Sequence, residues 1–82
     1  MADVTYYVAL PFVASDDGVA PGEAVECQSV HSAIRKAEQL AKATGNVGAV
    51  AFSRTGDPNV GEFSDAVLLK AFGGVPDDLS GL

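Results

Sequence analysis

The sequence predicts an α+β domain: a four-stranded sheet with one helix packed on one face, in the order ββαββ. Three observations support this. Between residues 29 and 45, Val30, Ala33, Ile34, Ala37, Leu40 and Ala41 recur at helical spacing. Two strand candidates precede that segment and two follow it, the first of them dominated by β-branched and aromatic residues. Clusters of Gly, Pro, Asp, Asn and Ser punctuate the runs. Two hairpins joined by a helix suggest a β-grasp-like spatial order, 2-1-4-3, with the first and last strands central and parallel. The alternative order places the third strand in the centre and the first at an edge.

The first strand, residues 4–14, alternates cleanly. Val4, Tyr6, Val8, Leu10 and Phe12 fall on one face, and Thr5, Tyr7, Ala9, Pro11 and Val13 on the other. Pro11 cannot donate to a ladder, so a bulge or a one-sided break in pairing is expected near residues 10–12. Ser15-Asp16-Asp17-Gly18 and Pro21-Gly22 supply turn chemistry before a short second strand, residues 23–27. Its Glu23 and Glu26 suit an edge, where charge discourages pairing with other sheets.

Ser29 is placed to cap the helix, its hydroxyl accepting from an otherwise unsatisfied backbone amide. Half of the apolar stripe is alanine, so the helix axis is expected to lie close to the strands. Ser32, Arg35, Lys36, Gln39 and Lys42 form the outer face. Lys42 complements the negative end of the helix dipole, and Gly45 is suited to a left-handed terminating conformation. Residues 47–54 read as the third strand and 65–72 as the fourth. The turn-rich residues 55–61 between them read as a long hairpin loop, and Gly73-Gly74 ends the last strand. Residues 1–76 then make a single domain and 77–82 a short acidic tail.

One helix covers one face of the sheet only. Val4, Tyr6, Val8, Leu10, Val50, Phe52, Val67 and Leu69 are expected beneath the helix. The uncovered face would show Tyr7, Val13, Leu68 and Phe72, beside Ala9, Thr5 and Lys70. Contiguous exposed apolar area marks a partner surface, and Tyr7, Val13, Leu68 and Phe72 are the expected interface of a homodimer. The tail folding back, or a foreign protein or ligand, are the other possible covers.

Composition removes several function classes. The 82 residues carry eleven acids against five bases, a formal net charge of −6. The bases, Arg35, Lys36, Lys42, Arg54 and Lys70, make no basic footprint, so no nucleic-acid partner is expected. The start Met1-Ala2-Asp3 lacks a basic leader, and the apolar run of residues 6–14 is too short to span a bilayer, so no membrane partner is expected. Cys27 is the single cysteine, which excludes an intrachain disulfide and fits a reducing, cytoplasmic setting.

Three stretches carry a resemblance: Ala33-Ile34-Arg35-Lys36-Ala37-Glu38, Ala51-Phe52-Ser53-Arg54-Thr55-Gly56-Asp57-Pro58 and Phe72-Gly73-Gly74-Val75-Pro76. Through them the chain resembles a group of short bacterial proteins of unknown function over most of its length. The resemblance implies no activity and lends no functional residues.

Three groups of residues have chemical potential. Cys27 and His31, the sole thiol and imidazole, flank the helix start, where a thiolate–imidazole pair could act as a nucleophile. No third group orients them, and the cysteine is expected to pack as a small hydrophobe. Asp57, Asn59, Glu62 and Asp65 space oxygens along a loop, but Glu62 stands where a calcium loop needs glycine. No metal or cofactor is therefore expected. Ser53, Arg54 and Thr55 gather two hydroxyls and a guanidinium where the third strand was expected to end, a setting for a carboxylate or phosphate; pairing of Arg54 with Glu62 or Asp65 across the hairpin is the plainer reading. The sequence thus points to a small non-enzymatic interaction module that self-associates. The alternative is an anion-binding protein or enzyme using Ser53–Thr55 with Cys27 and His31.

Overall fold

A computed structural model describes residues 3–16, 18–64 and 66–75. Its elements run β1 (Val4–Ser15), β2 (Gly18–Pro21), β3 (Val25–Cys27), α1 (Val30–Lys42), β4 (Asn46–Asp57), β5 (Glu62–Phe63) and β6 (Val67–Gly73). The fold is α+β, with one helix and a curled antiparallel sheet of six strands among the described residues.

The six strands occupy four lanes. β1 and β4 are central and antiparallel, paired from Val4↔Gly56 to Val13↔Asn46. β2 and β3 share the lane outside β1, and β5 and β6 share the lane outside β4. The expected order 2-1-4-3 with a parallel central pair is therefore corrected: β4, the third strand of the sequence reading, is central, and β6 lies outside it. The alternative order is corrected too, because β1 is not at an edge.

Each outer lane is broken where the backbone demands it. Pro11 of β1 lies opposite the gap between β2 and β3, where its missing N–H leaves no ladder bond unmade. Its carbonyl accepts from the Gly22 amide at 2.8 Å, and a register shift follows at Phe12/Val13. The expected irregularity near residues 10–12 is thus present. The expected second strand, residues 23–27, is shorter at its start, and β2 adds a tight hairpin ahead of it. The second correction concerns residues 55–61. Thr55, Gly56 and Asp57 continue β4, and a short turn over residues 58–61 returns the chain to β5. Asp57 makes that turn by accepting the Gly61 amide at its carbonyl (3.0 Å) and the Asn59 amide at Oδ1 (2.8 Å).

The helix is as capped as its sequence suggests. Ser29 is the N-cap, and its Oγ accepts the Ser32 amide at 3.1 Å. Ala43 rather than Gly45 is the C-cap. Asn46 then secures the exit, its side-chain amide donating to the Leu40 carbonyl at 2.8 Å, while Gly45 takes a φ of 93° in the turn between them. Ser29→Ala is expected to lower stability by about 1 kcal/mol, as loss of an N-cap usually does. A urea titration against Ser29→Asp, which keeps an acceptor and should hold wild-type stability, checks this.

On β1 and β4 the faces are the reverse of those expected, whereas on β6 Leu69 lies beneath the helix and Leu68 on the other face, as expected. Beneath the helix lies a layer of alanines, Ala9, Ala49 and Ala51 from the sheet and Ala33 and Ala37 from α1, all at 0% exposure. Tyr7, Cys27, Ile34, Leu40, Leu69 and Phe72 pack around it. The bulky residues Leu10, Phe12, Val50 and Phe52 form a second buried cluster on the other face, covered by the curl of the sheet with Val8, Val19, Ala66 and Val75. The reason is steric. A helix presenting alanine approaches closely and can only meet small residues, so the large side chains must face away from it.

The central strands outrun the helix. Twelve residues of strand span about 40 Å, whereas thirteen of helix span about 20 Å, matching a longest dimension of 42 Å. The surplus is an arm made of the start of β1, the end of β4, and β5.

Candidate functional site

The arm is amphipathic across its thickness. On the helix side it carries Thr5, Thr55 and Asp57, and the Thr5 and Thr55 hydroxyls bond each other at 2.8 Å. Register places Val4, Tyr6, Arg54 and Gly56 on the underside, the face of Val8 and Phe52. Phe63 joins them through its pairing with Gly56, its ring 5.8 Å from that of Tyr6. Gly56 makes this possible, because a Cβ there would strike the Glu62 carbonyl and the Phe63 ring. Further along the same face, Leu68 stands opposite Phe52.

The curl that buries Leu10 and Phe12 does not reach this end. Val4 is 40% exposed, Phe63 42% and Leu68 48%. On the rim, Val67 is 59% exposed beside Ser53 and Val60 is 63% exposed in the turn. Arg54, half-buried, lies opposite Tyr6 between the Phe63 and Leu68 positions. The result is a row of aromatic and aliphatic side chains interrupted by one guanidinium.

The residues expected to form an interface do not share a face. Tyr7 and Phe72 pack in the cluster below the helix, and the Lys70 ammonium lies 5.3 Å from the Phe72 ring centre. Val13 is half-buried beyond the register shift, near the opposite end of β1 from the arm. Of the four, Leu68 alone belongs to the exposed underside. Val4 and Phe63 were missed for different reasons. Val4 was assigned beneath the helix with its whole face, and Phe63 was read as part of a hairpin connection. The signal that could have found them is the length of the alternating run 4–14 against a helix of four turns.

The anion-binding group is also rearranged. Ser53, Arg54 and Thr55 lie inside β4, not at its end, so their side chains alternate between faces. Arg54 points to the underside, whereas Thr55 turns to the other side and is held by Thr5. The Thr55 carbonyl accepts both the Ser64 amide and the Ser64 hydroxyl at 2.8 Å. Three convergent donors are not formed by this triplet.

Cys27 and His31 separate as well. Cys27 is half-buried against the alanine layer, with Sγ 3.6 Å from the Val25 carbonyl, and His31 is exposed on the first turn of α1. In the β4–β5 turn, Asp57 Oδ1 is engaged by the Asn59 amide; Asp65, the fourth oxygen-bearing residue of that stretch, lies outside the described residues, as does the expected tail, residues 77–82. Among the described residues no group of three or more His, Cys, Asp or Glu side chains is arranged to hold a metal ion. No helix among them is long and apolar enough to cross a membrane. Compared with family models, curated proteins and solved structures, the chain matches none.

Proposed function

We propose that the chain is a small non-enzymatic interaction module that works by associating with a second copy of itself. The observation that carries this reading is the clustering of exposed apolar side chains. Among the described residues seven large hydrophobics are exposed; Val4, Phe63 and Leu68 share the underside of the arm, with Val60 in the adjoining turn and Val67 on the rim. Val30 and Val47 are the scattered remainder, and isolated exposed residues carry no such meaning. A contiguous patch is different, because water is ordered over its whole area and contact with another apolar surface releases it.

The sheet edges are poor candidates for the contact. β6 carries a register shift at Ala51/Phe52 and a lysine, Lys70, while Glu26 stands on β3 and the β2–β3 lane is interrupted. Bulges, charges and short strands are the devices that block strand addition at an edge. Apolar contact between side chains is the remaining route.

Light scattering across a dilution series from about 1 μM to about 1 mM tests the reading. A mass approaching twice that of the chain, rising with concentration, is expected. Each copy carries −6, so association should strengthen when added salt screens the mutual repulsion. A monomer mass throughout, at low and high salt, would refute it.

A further inference from the structure

Resting on that reading, we infer that the surface joining the two copies is the underside of the arm, packed face to face about a two-fold axis. The occupant of the patch is the same patch of a second chain.

The first argument is the state of the arm itself. It is a ribbon in which β1 and β4 run on as a pair with only the two-residue β5 beside them, and a two-stranded ribbon is marginal in water unless its apolar face packs on something. Its helix side is polar, with Thr5, Thr55 and Asp57, and is suited to solvent. Its other side presents Val4, the Tyr6–Phe63 ring pair and Leu68. That is the pattern of an inner sheet face in an aligned sandwich, whose two sheets pack about 10 Å apart. One layer of the sandwich is present in the chain, and a second copy supplies the other.

Area supports a second copy and sets the strength of the contact. Buried aromatic side chains cover about 150–250 Å² each, so 40–48% exposure on Val4, Phe63 and Leu68 leaves on the order of 200–300 Å² of apolar surface, before Tyr6 is added. Two copies would bury about 500 Å² of apolar area, and interfaces are a little over half apolar. The total comes to roughly 900–1,000 Å², at the lower bound for a specific interface. An interface of that size belongs with weak, transient contacts, so a concentration-dependent dimer is expected.

Symmetry is the second argument. A two-fold contact uses one patch twice, so it must be complementary to itself. An axis through the middle of the underside, near Tyr6 and Arg54, sets the Phe63 end of one copy over the Leu68 end of the other. Apolar then meets apolar at both ends.

Val4→Glu and Leu68→Glu test the inference, with Val30→Glu as the control. All three residues are 40–48% exposed in the chain, so each substitution adds the same charge at a comparable position, and far-UV circular dichroism verifies that the fold is kept. Dimer dissociation constants are read by light scattering and sedimentation. Val4→Glu and Leu68→Glu are each expected to weaken the dimer at least about 30-fold, because each buries an unpaired carboxylate against apolar side chains, and Val30→Glu to leave it unchanged. A wild-type dimer that survives both arm variants would overturn the arm as interface while leaving self-association standing. A wild-type monomer across the concentration series would overturn both.

Discussion

Gly48→Ala is expected to remove a large part of the domain's stability, more than about 4 kcal/mol. Gly48 is buried in β4 opposite Gly73. A Cβ built there would sit 2.6 Å from the Phe72 and Gly74 carbonyl oxygens and 2.7 Å from the Gly74 amide nitrogen. These are backbone atoms held by the β4–β6 ladder and by the bond from the Gly74 amide to the Val47 carbonyl at 2.7 Å. No rotamer change relieves the clash; the last strand must move off. A loss above about 4 kcal/mol follows, in the range reserved for disruption of buried structure. An 82-residue chain has a total stability on the order of 4–12 kcal/mol at the usual figure per residue. Gly45→Ala gives the contrast. Its φ is 93°, but no atom lies within 4 Å of the added Cβ, so only the left-handed backbone penalty of about 1–2 kcal/mol applies. Urea titrations of the two variants check the difference. A Gly48→Ala midpoint at or above that of Gly45→Ala would show that β6 yields without loss.

That dependence on one glycine explains part of what the sequence concealed. The helix and its cap were legible because Ser29 and the apolar stripe are local signals. Alternation along β1 and the disturbance at Pro11 were legible for the same reason. Strand order was not. Both orders considered join two hairpins through a helix, and what separates them is whether β1 meets β4 or β6. The deciding contacts are long-range: β4 must be long enough to match β1 over its full length, and its last residues, Thr55-Gly56-Asp57, have turn composition. Gly56 is in a strand because β5 and Phe63 lie too close for any side chain, a fact no local window contains.

The faces of β1 and β4 were legible in principle. Ranking residues by bulk places Leu10, Val50 and Phe52 under the helix. The helix stripe itself argues otherwise, since Ala33 and Ala37 require small partners, and Ala9, Ala49 and Ala51 share the other parity of β1 and β4. Matching the size of facing surfaces, rather than maximising bulk beneath the helix, recovers the observed packing. It also takes Tyr7 and Phe72 out of the exposed apolar surface and adds Val4 and Phe63 to Leu68.

Ala37→Leu separates these two views of the core by the sign of its effect. If the space between helix and sheet were loose, three added carbons would bury at about 0.8 kcal/mol each, and the variant would gain roughly 2 kcal/mol. Ala37 is instead enclosed with four other alanines at zero exposure, in an interior where vacant space is scarce. The leucine must lift the helix, and lifting it parts Ile34, Leu40 and Ala41 from the sheet together. A loss of about 1–3 kcal/mol is expected, as overpacking typically produces, and a shift in midpoint of several degrees in a domain of this size. Ala41→Leu is the companion variant. Ala41 is half-buried at the margin of the layer, where a longer side chain can extend along the surface, so its midpoint should stay near wild type. Thermal and urea unfolding of the pair settle the point: a rise for Ala37→Leu would mean that the helix rides above the strands with room to spare, and the close alanine contact that turns the bulky residues to the far face would have to be abandoned.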